Sequence, residues 1–177
     1  LVIGTNNRAK IVELVEQLES TERQINAVRD IMKESNFEEM PLFGNESDKA
    51  RAFMKIQEGC NNYCSFCIIP YTRGKLKSRK IEDIVEEAKR LVDHGFHEIV
   101  LTGIHLGNYG VELPGRPTLA DVVKALLEIP ELYRIRFGSI ESVEVSDETI
   151  YDSDEISDDY DESSEADDSA DFGTDTE

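Results

Sequence analysis

Basic residues are missing from the last fifth of this 177-residue chain. Residues 141–177 hold 17 acids and no lysine or arginine, so most of the formal net charge of -19 belongs to that stretch. Residues 1–140 carry 21 acids against 19 bases and are close to neutral. Long apolar runs are lacking too, which excludes a membrane-spanning helix, and residues 1–4 are far too short for the apolar part of a secretory signal. Cysteine is scarce: there are three, all within residues 60–67. An odd number cannot all pair off internally, so shared coordination of one inorganic centre fits their grouping better than disulfide stapling. Free thiols without an export signal imply a reducing cytoplasm.

The three thiols, Cys60, Cys64 and Cys67, follow a C-x3-C-x2-C spacing. A closed structural zinc site wants four protein ligands, as do most electron-transfer iron–sulfur clusters. Three thiolates on one loop can hold three corners of a 4Fe-4S cube and leave the fourth iron open to a small molecule. A Cys3His zinc site is the rival reading. Of the three histidines, His94 and His97 flank Gly95 at an expected helix end and strand start, and His105 lies nearer the cysteines' side of the fold.

Hydrophobic periodicity outlines the rest. Residues 1–5 read as a short strand, Asn6 or Asn7 as the cap of a helix, and Ile11, Leu14, Val15 and Leu18 as its apolar face. Residues 20–49 are polar, broken by Pro41 and Gly44, and read as a connector. Residues 52–56 alternate as a strand delivering the cysteine loop. A helix follows on Ile81, Ile84, Val85, Ala88, Leu91 and Val92, ended by Gly95. The run 99–101 reads as a buried parallel strand. Thr118 and Asp121 form a capping-box pattern before a helix that Pro130 stops, and 133–137 alternate as a third strand. Strand, helix, strand, helix, strand predicts an α/β fold with a parallel sheet, whose ligands gather past the C-terminal strand ends. The cysteine loop, Thr102 with Gly103, and Ser139 would share that rim.

Between these elements, Arg73, Lys75, Lys77, Arg79 and Lys80 place five bases in residues 71–80. They read either as a solvated loop or as a contact for an anion such as RNA phosphate or a ligand carboxylate. Residues 151–177, rich in Asp, Glu and Ser, have too few apolar groups to offset the cost of ordering and are expected to be a disordered acidic tail. Solubility is its bland role; screening of the 71–80 bases by mimicry of nucleic acid is the sharper one.

Cys60, Cys64, Phe66 and Cys67 together resemble the signature of radical S-adenosylmethionine enzymes. The longer run 55–60, with residues 67–71 and Arg73-Gly74, is similar to the methylthiotransferases of that superfamily. Lys55-Ile56-Gln57 before Glu58-Gly59-Cys60, with residues 101–110, looks most like the branch acting on threonylcarbamoyladenosine in tRNA. The likeness runs over about residues 1–150.

The resemblance implies a 4Fe-4S cluster on Cys60, Cys64 and Cys67, with S-adenosylmethionine on the open iron. It implies a cofactor site of Phe66, Arg79, Thr102, Gly103, Ser139 and Glu141, while no catalytic residue is assigned. It implies methylthiolation next to the anticodon of a tRNA, an external electron donor, and a partner chain supplying domains that are absent. Residues 1–50 would be a remnant of the N-terminal domain with a connector, residues 51–150 a partial radical S-adenosylmethionine barrel, and 151–177 the tail. The second cluster's cysteines are missing from residues 1–59, and Lys80, Gly138 and Ser142 depart from the usual proline, serine and proline. A non-catalytic iron–sulfur or zinc module with an interaction tail is the reading of another class.

Overall fold

The computed structural model describes residues 1–21, 23–39, 51–138 and 140. In chain order its elements are α1 (Ile11–Thr21), β1 (Arg51–Lys55), β2 (Gln57–Glu58), α2 (Ile69–Arg73), β3 (Lys77–Ser78), α3 (Ile81–Asp93), β4 (Glu98–Thr102), α4 (Leu119–Leu127) and β5 (Arg134–Phe137). Short 3-10 turns lie at Arg8–Lys10, Ile31–Lys33 and Leu106–Asn108.

The expected parallel βαβαβ unit is present. β4 is the central strand, with β1 and β5 parallel on either side, in the register Met54↔Leu101↔Phe137. β4 is central because all three of its middle residues, Ile99, Val100 and Leu101, are buried, whereas β1 alternates. Ala52, Met54, Ile99 and Leu101 pack against Ile84, Ala88, Leu91 and Val92 of α3 and Leu119, Val122 and Leu126 of α4. Those helical residues recur every three or four positions, so each helix buries one stripe. Burying a side chain of this size stabilises the fold by roughly 1.5–3 kcal/mol.

The helix ends follow the sequence signals. The Thr118 hydroxyl accepts from the Asp121 amide, and the Asp121 carboxylate accepts from the Thr118 amide at 2.7 Å, closing the capping box. The two Thr118 hydrogen bonds hold the Asp121 carboxyl below its ordinary pKa. After α3 the chain turns through Gly95 at φ +89°, a left-handed conformation glycine adopts without a Cβ clash.

Four expectations need correction. The strand at residues 1–5 is only a single parallel bridge between Val2 and Asn26, for among the described residues no sheet edge adjoins it. Neither asparagine caps α1: Asn7 takes a left-handed φ of 67°, turning its amide to donate to the Ala27 carbonyl, and begins a 3-10 turn instead. The apolar face of α1 is not buried either, with Ile11, Val12 and Val15 exposed. Residues 20–39 are more than a connector. Glu38 pairs with Arg8 at 2.9 Å, Glu39 with Arg79 at 2.5 Å, and the Phe37 ring lies 5.5 Å from the Lys55 ammonium. The expected acidic tail lies outside the described residues.

Beneath this N-terminal layer, Arg79 is buried between Glu39 and Glu87 of α3, with Glu87 at 2.5 Å. Burial alone would lower the guanidinium pKa, but the two carboxylates outweigh it and raise it. Glu87 is the fully enclosed partner, its side chain 7% exposed. Glu87→Ala is expected to cost about 3 kcal/mol, the lower end for breaking a buried ion pair because Glu39 still faces the cation. Urea unfolding checks this as a fall in midpoint at unchanged slope, with the exposed Glu82→Ala within about 0.5 kcal/mol of the parent.

Candidate functional site

The parallel sheet sets the rim. At its C-terminal end, the Ile56 amide bonds to the Thr102 carbonyl at 2.9 Å and the Gly138 amide to the Leu101 carbonyl at 2.8 Å, so three strand ends stand side by side. β1 then runs directly into β2, which pairs antiparallel with β3 through Gln57↔Ser78 and Glu58↔Lys77. The cysteines therefore occupy the loop of a long hairpin closed by a two-residue ladder. Nothing in the periodicity of so short a pairing foretold it.

The base of that loop is tight. The Cys60 amide donates to the Gly74 carbonyl at 3.2 Å, and the Leu76 amide donates to the Asn61 side chain at 3.1 Å. A Cβ on Gly59 would lie 2.0 Å from the Lys75 carbonyl oxygen, and Gly59 has φ +74°, so only glycine fits. Further out, the Cys67 amide bonds to the Cys64 carbonyl at 2.9 Å and turns the chain into α2, with Pro70 in its first turn.

Gln57 joins this loop to the next. Fully buried, its side-chain oxygen accepts from the Ile104 and His105 amides at 2.7 and 2.8 Å. Its nitrogen donates to the Glu58 and Gly59 carbonyls at 3.1 and 2.8 Å. One amide thus fills all four of its hydrogen-bonding positions across two rim loops. A Cβ on Gly103 would meet the same Gln57 oxygen at 2.7 Å, so the glycine leaves room for the amide. Above it, the Asn62 amide nitrogen lies 2.7 Å from His105 Nε2 and links the loops a second time.

Glu58 gathers the surrounding cations. Its buried carboxylate pairs with Lys55 at 2.9 Å, Arg73 at 3.2 Å and Arg8 at 3.4 Å. Burial would raise its pKa, but the Lys55 hydrogen bond and the charges of Lys55, Arg8 and Lys77 outweigh that and hold it low. On β3, burial lowers the Lys77 pKa against the pull of Glu58. The five bases of residues 71–80 consequently form no basic surface: Lys77 and Arg79 are buried and Arg73 is paired, which leaves Lys75 and Lys80 outside. Next to them, Tyr109 is buried and donates to the Arg79 carbonyl at 2.5 Å, its pKa raised first by burial and then by Glu112. The Glu112 carboxylate in turn accepts from the Ser78 amide and hydroxyl.

The sequence-derived residues fall as follows. Cys60 is buried, Cys64 exposed and Cys67 half-buried, and none is in a disulfide. Phe66 is 92% exposed beside them. The Thr102 hydroxyl donates to the Met54 carbonyl at 3.2 Å, within the sheet end. Arg79 lies beneath the hairpin, held by its two carboxylates. Ser139 and Glu141 lie outside the described residues. Among the described residues, no three His, Cys, Asp or Glu side chains stand ready-made around a metal position. The donor set itself, three unpaired thiols on one loop, fits three corners of a 4Fe-4S cluster. Sequence reasoning passed over Gln57 and Glu58 as parts of a motif. Their signal was a polar pair directly after a strand run, where a solvent-facing loop would ordinarily begin.

The family model described as the Radical SAM superfamily matches residues 54–168, and the chain belongs to that superfamily. The match runs past residue 150 into the acidic stretch, further than the motifs alone reached. Within the superfamily its curated relatives are methylthiotransferases. Threonylcarbamoyladenosine tRNA methylthiotransferase of Bacillus subtilis is 42% identical over 152 residues, 85% of this chain and 33% of that protein. The tRNA-2-methylthio-N(6)-dimethylallyladenosine synthase of a Thermoanaerobacter species is 39% identical over 152 residues, 85% of this chain and 31% of that protein. Ribosomal protein uS12 methylthiotransferase of a Synechococcus species is 39% identical over 129 residues, 73% of this chain and 27% of that protein. The chain thus spans about a third of the length of the curated relatives it matches.

If Gln57 is the link between the two rim loops, Gln57→Leu will speed amide hydrogen exchange at Ile104 and His105 about tenfold, the loss of one hydrogen bond each. Ile99 and Leu101 in β4 are expected to keep their protection. Unchanged exchange at Ile104 and His105 would show that the link carries no stability.

Proposed function

We propose that this chain is the cluster-bearing part of a radical S-adenosylmethionine methylthiotransferase acting on threonylcarbamoyladenosine beside the anticodon of a tRNA, in the cytoplasm. The observation that carries the reading is the hairpin loop: three free thiols, delivered at the C-terminal rim of a parallel sheet, with Gln57 fixing the loop to its neighbour. Cys60, Cys64 and Cys67 would hold a 4Fe-4S cluster, which when bound supplies the low-potential electron that cleaves a sulfonium S–C bond of S-adenosylmethionine.

The chain's own residues do the positioning. Gly103, Ile104 and His105 present backbone to the loop because the Gln57 amide holds them there. Gly103 makes room for that amide, and the proposed ligand sits over Thr102 and Gly103. Exposed Phe66 and Ile104 offer apolar cover that would exclude water from such a ligand. Ser139 and Glu141 complete the proposed cofactor site in the same reading. Arg79 belongs to it through the β3 backbone it anchors. An external electron donor and a partner chain belong to the same reading.

One contact favours a second reading. His105 Nε2 lies 2.7 Å from the side chain of Asn62, which stands between Cys60 and Cys64 in the chain, and a non-catalytic Cys3His zinc module would recruit that histidine as its fourth ligand. Anaerobic reconstitution separates the two. The first reading expects about four irons and four acid-labile sulfides per chain, loss of most of both in each Cys→Ser variant, and unchanged iron in His105→Ala. 5′-Deoxyadenosine released from S-adenosylmethionine under strong reductant would establish the reaction class. Zinc at one per chain, lost in His105→Ala, with no bound sulfide, would establish the module instead.

A further inference from the structure

The chain places a carboxylate two positions before its first thiol. Glu58 and Cys60 lie at most about 7 Å apart at their Cα atoms, and the Glu58 side chain is only 7% exposed. On the reading that Cys60, Cys64 and Cys67 hold a cluster, a negative charge is buried close to three thiolates, where water and salt screen it little. Left alone, it would be an unfavourable neighbour.

It is opposed several times over. Lys55, Arg73 and Arg8 reach the carboxylate at 2.9, 3.2 and 3.4 Å, and the buried Lys77 faces it across the β2–β3 ladder. Among the described residues, Glu38 pairs with Arg8 at 2.9 Å, while Glu34, near Lys77, is itself paired with Arg29 at 3.9 Å. Two carboxylates thus stand against four cations, and the group as a whole is positive.

This group is built into the base of the cysteine loop. Gly74, the neighbour of Arg73, accepts from the Cys60 amide at 3.2 Å, and the Asn62 amide donates to the Cys60 sulfur at 3.5 Å. Cys60 is the buried thiol of the three. A hydrogen bond to the sulfur and a positive surrounding act in the same direction, since both stabilise negative charge there. Reduction of an iron–sulfur cluster by an external donor adds one electron, and so one negative charge, to the cluster and its thiolates together. The cations therefore favour the reduced form, and Glu58 limits how far.

We propose that Glu58 and its four cations set the reduction potential of a cluster held by Cys60, Cys64 and Cys67, the cations raising it and Glu58 holding it down. The inference rests on the proposed cluster and adds the residues that tune it. A unit charge on the order of 10 Å away, at an effective dielectric constant of about 20, changes a one-electron equilibrium about tenfold. Tenfold is about 59 mV for one electron.

Potentiometric titration of the anaerobically reconstituted full chain, followed by electron paramagnetic resonance of the reduced cluster, tests this without any assay of activity. Glu58→Gln is expected to raise the potential by about 59 mV, and Arg73→Gln and Lys55→Gln each to lower it by about as much. The double variant Glu58→Gln/Arg73→Gln should return close to the parent. A loosened loop would move all the variants alike, so the opposite signs identify charge as the cause. If Glu58→Gln takes up too little iron to titrate, the two cation variants decide, because the Arg73 and Lys55 side chains are 41 and 37% exposed and their loss leaves the core intact. Potentials of both cation variants equal to the parent's, or a Glu58→Gln shift of the same sign as theirs, would overturn the inference and leave the cluster reading standing. A parent chain that takes up no iron and sulfide would overturn both.

Discussion

One side chain holds the rim together. The cysteine loop hangs from a hairpin whose ladder is only two residues long, and a two-residue ladder does not by itself fix a loop of this size. Gln57 supplies the missing constraint by satisfying two amides on one loop and two carbonyls on the other with a single buried group. An unsatisfied buried amide would cost about 1–3 kcal/mol, so the four bonds form or fail together. Gly59 and Gly103 are the geometric counterpart of this link, because a Cβ at either would collide with the backbone or with the amide itself.

Around that link the charges are arranged in two tiers. Glu58 collects Lys55, Arg73 and Arg8 at the base of the cysteine loop, and Arg79 is enclosed by Glu39 and Glu87 beneath it. Arg8 and Glu39 come from the N-terminal layer, so the segment before the sheet is tied to the hairpin by ion pairs more than by apolar packing. That explains why α1 can leave its apolar residues exposed while the residues flanking it stay in place.

How much of this was legible in the sequence follows from the range of each interaction. Helix faces and strand runs report burial against a single layer, and α3, β4, α4 and β5 were accordingly readable from periodicity, with the Thr118 and Asp121 cap readable from spacing alone. The three cysteines were readable because their grouping has few other uses. The β2–β3 ladder was not, since two residues show no period. The fates of Lys77 and Arg79 were not either, because their partners Glu58, Glu39 and Glu87 lie between 8 and 40 positions away, beyond the range of local pattern. The strand expected at residues 1–5 failed for the opposite reason: apolar composition was present, but among the described residues only the segment 25–27 pairs with it, through a single bridge.

The redistribution of charge has a consequence for how the rim and the sheet divide their tasks. Lys55, Arg73 and Arg8 are paired with Glu58, and the rim's surface also carries exposed Phe66, Ile68, Tyr71 and Ile104. Such a surface favours a partly apolar ligand or a stacked base, and gives little long-range attraction to a polyanion. Free positive charge sits on the face of the sheet away from α3 and α4, where Arg51, Arg134 and Arg136 outnumber Glu98. Apolar exposure at the rim and free positive charge at the sheet are therefore carried by different residues, and either can be altered without the other.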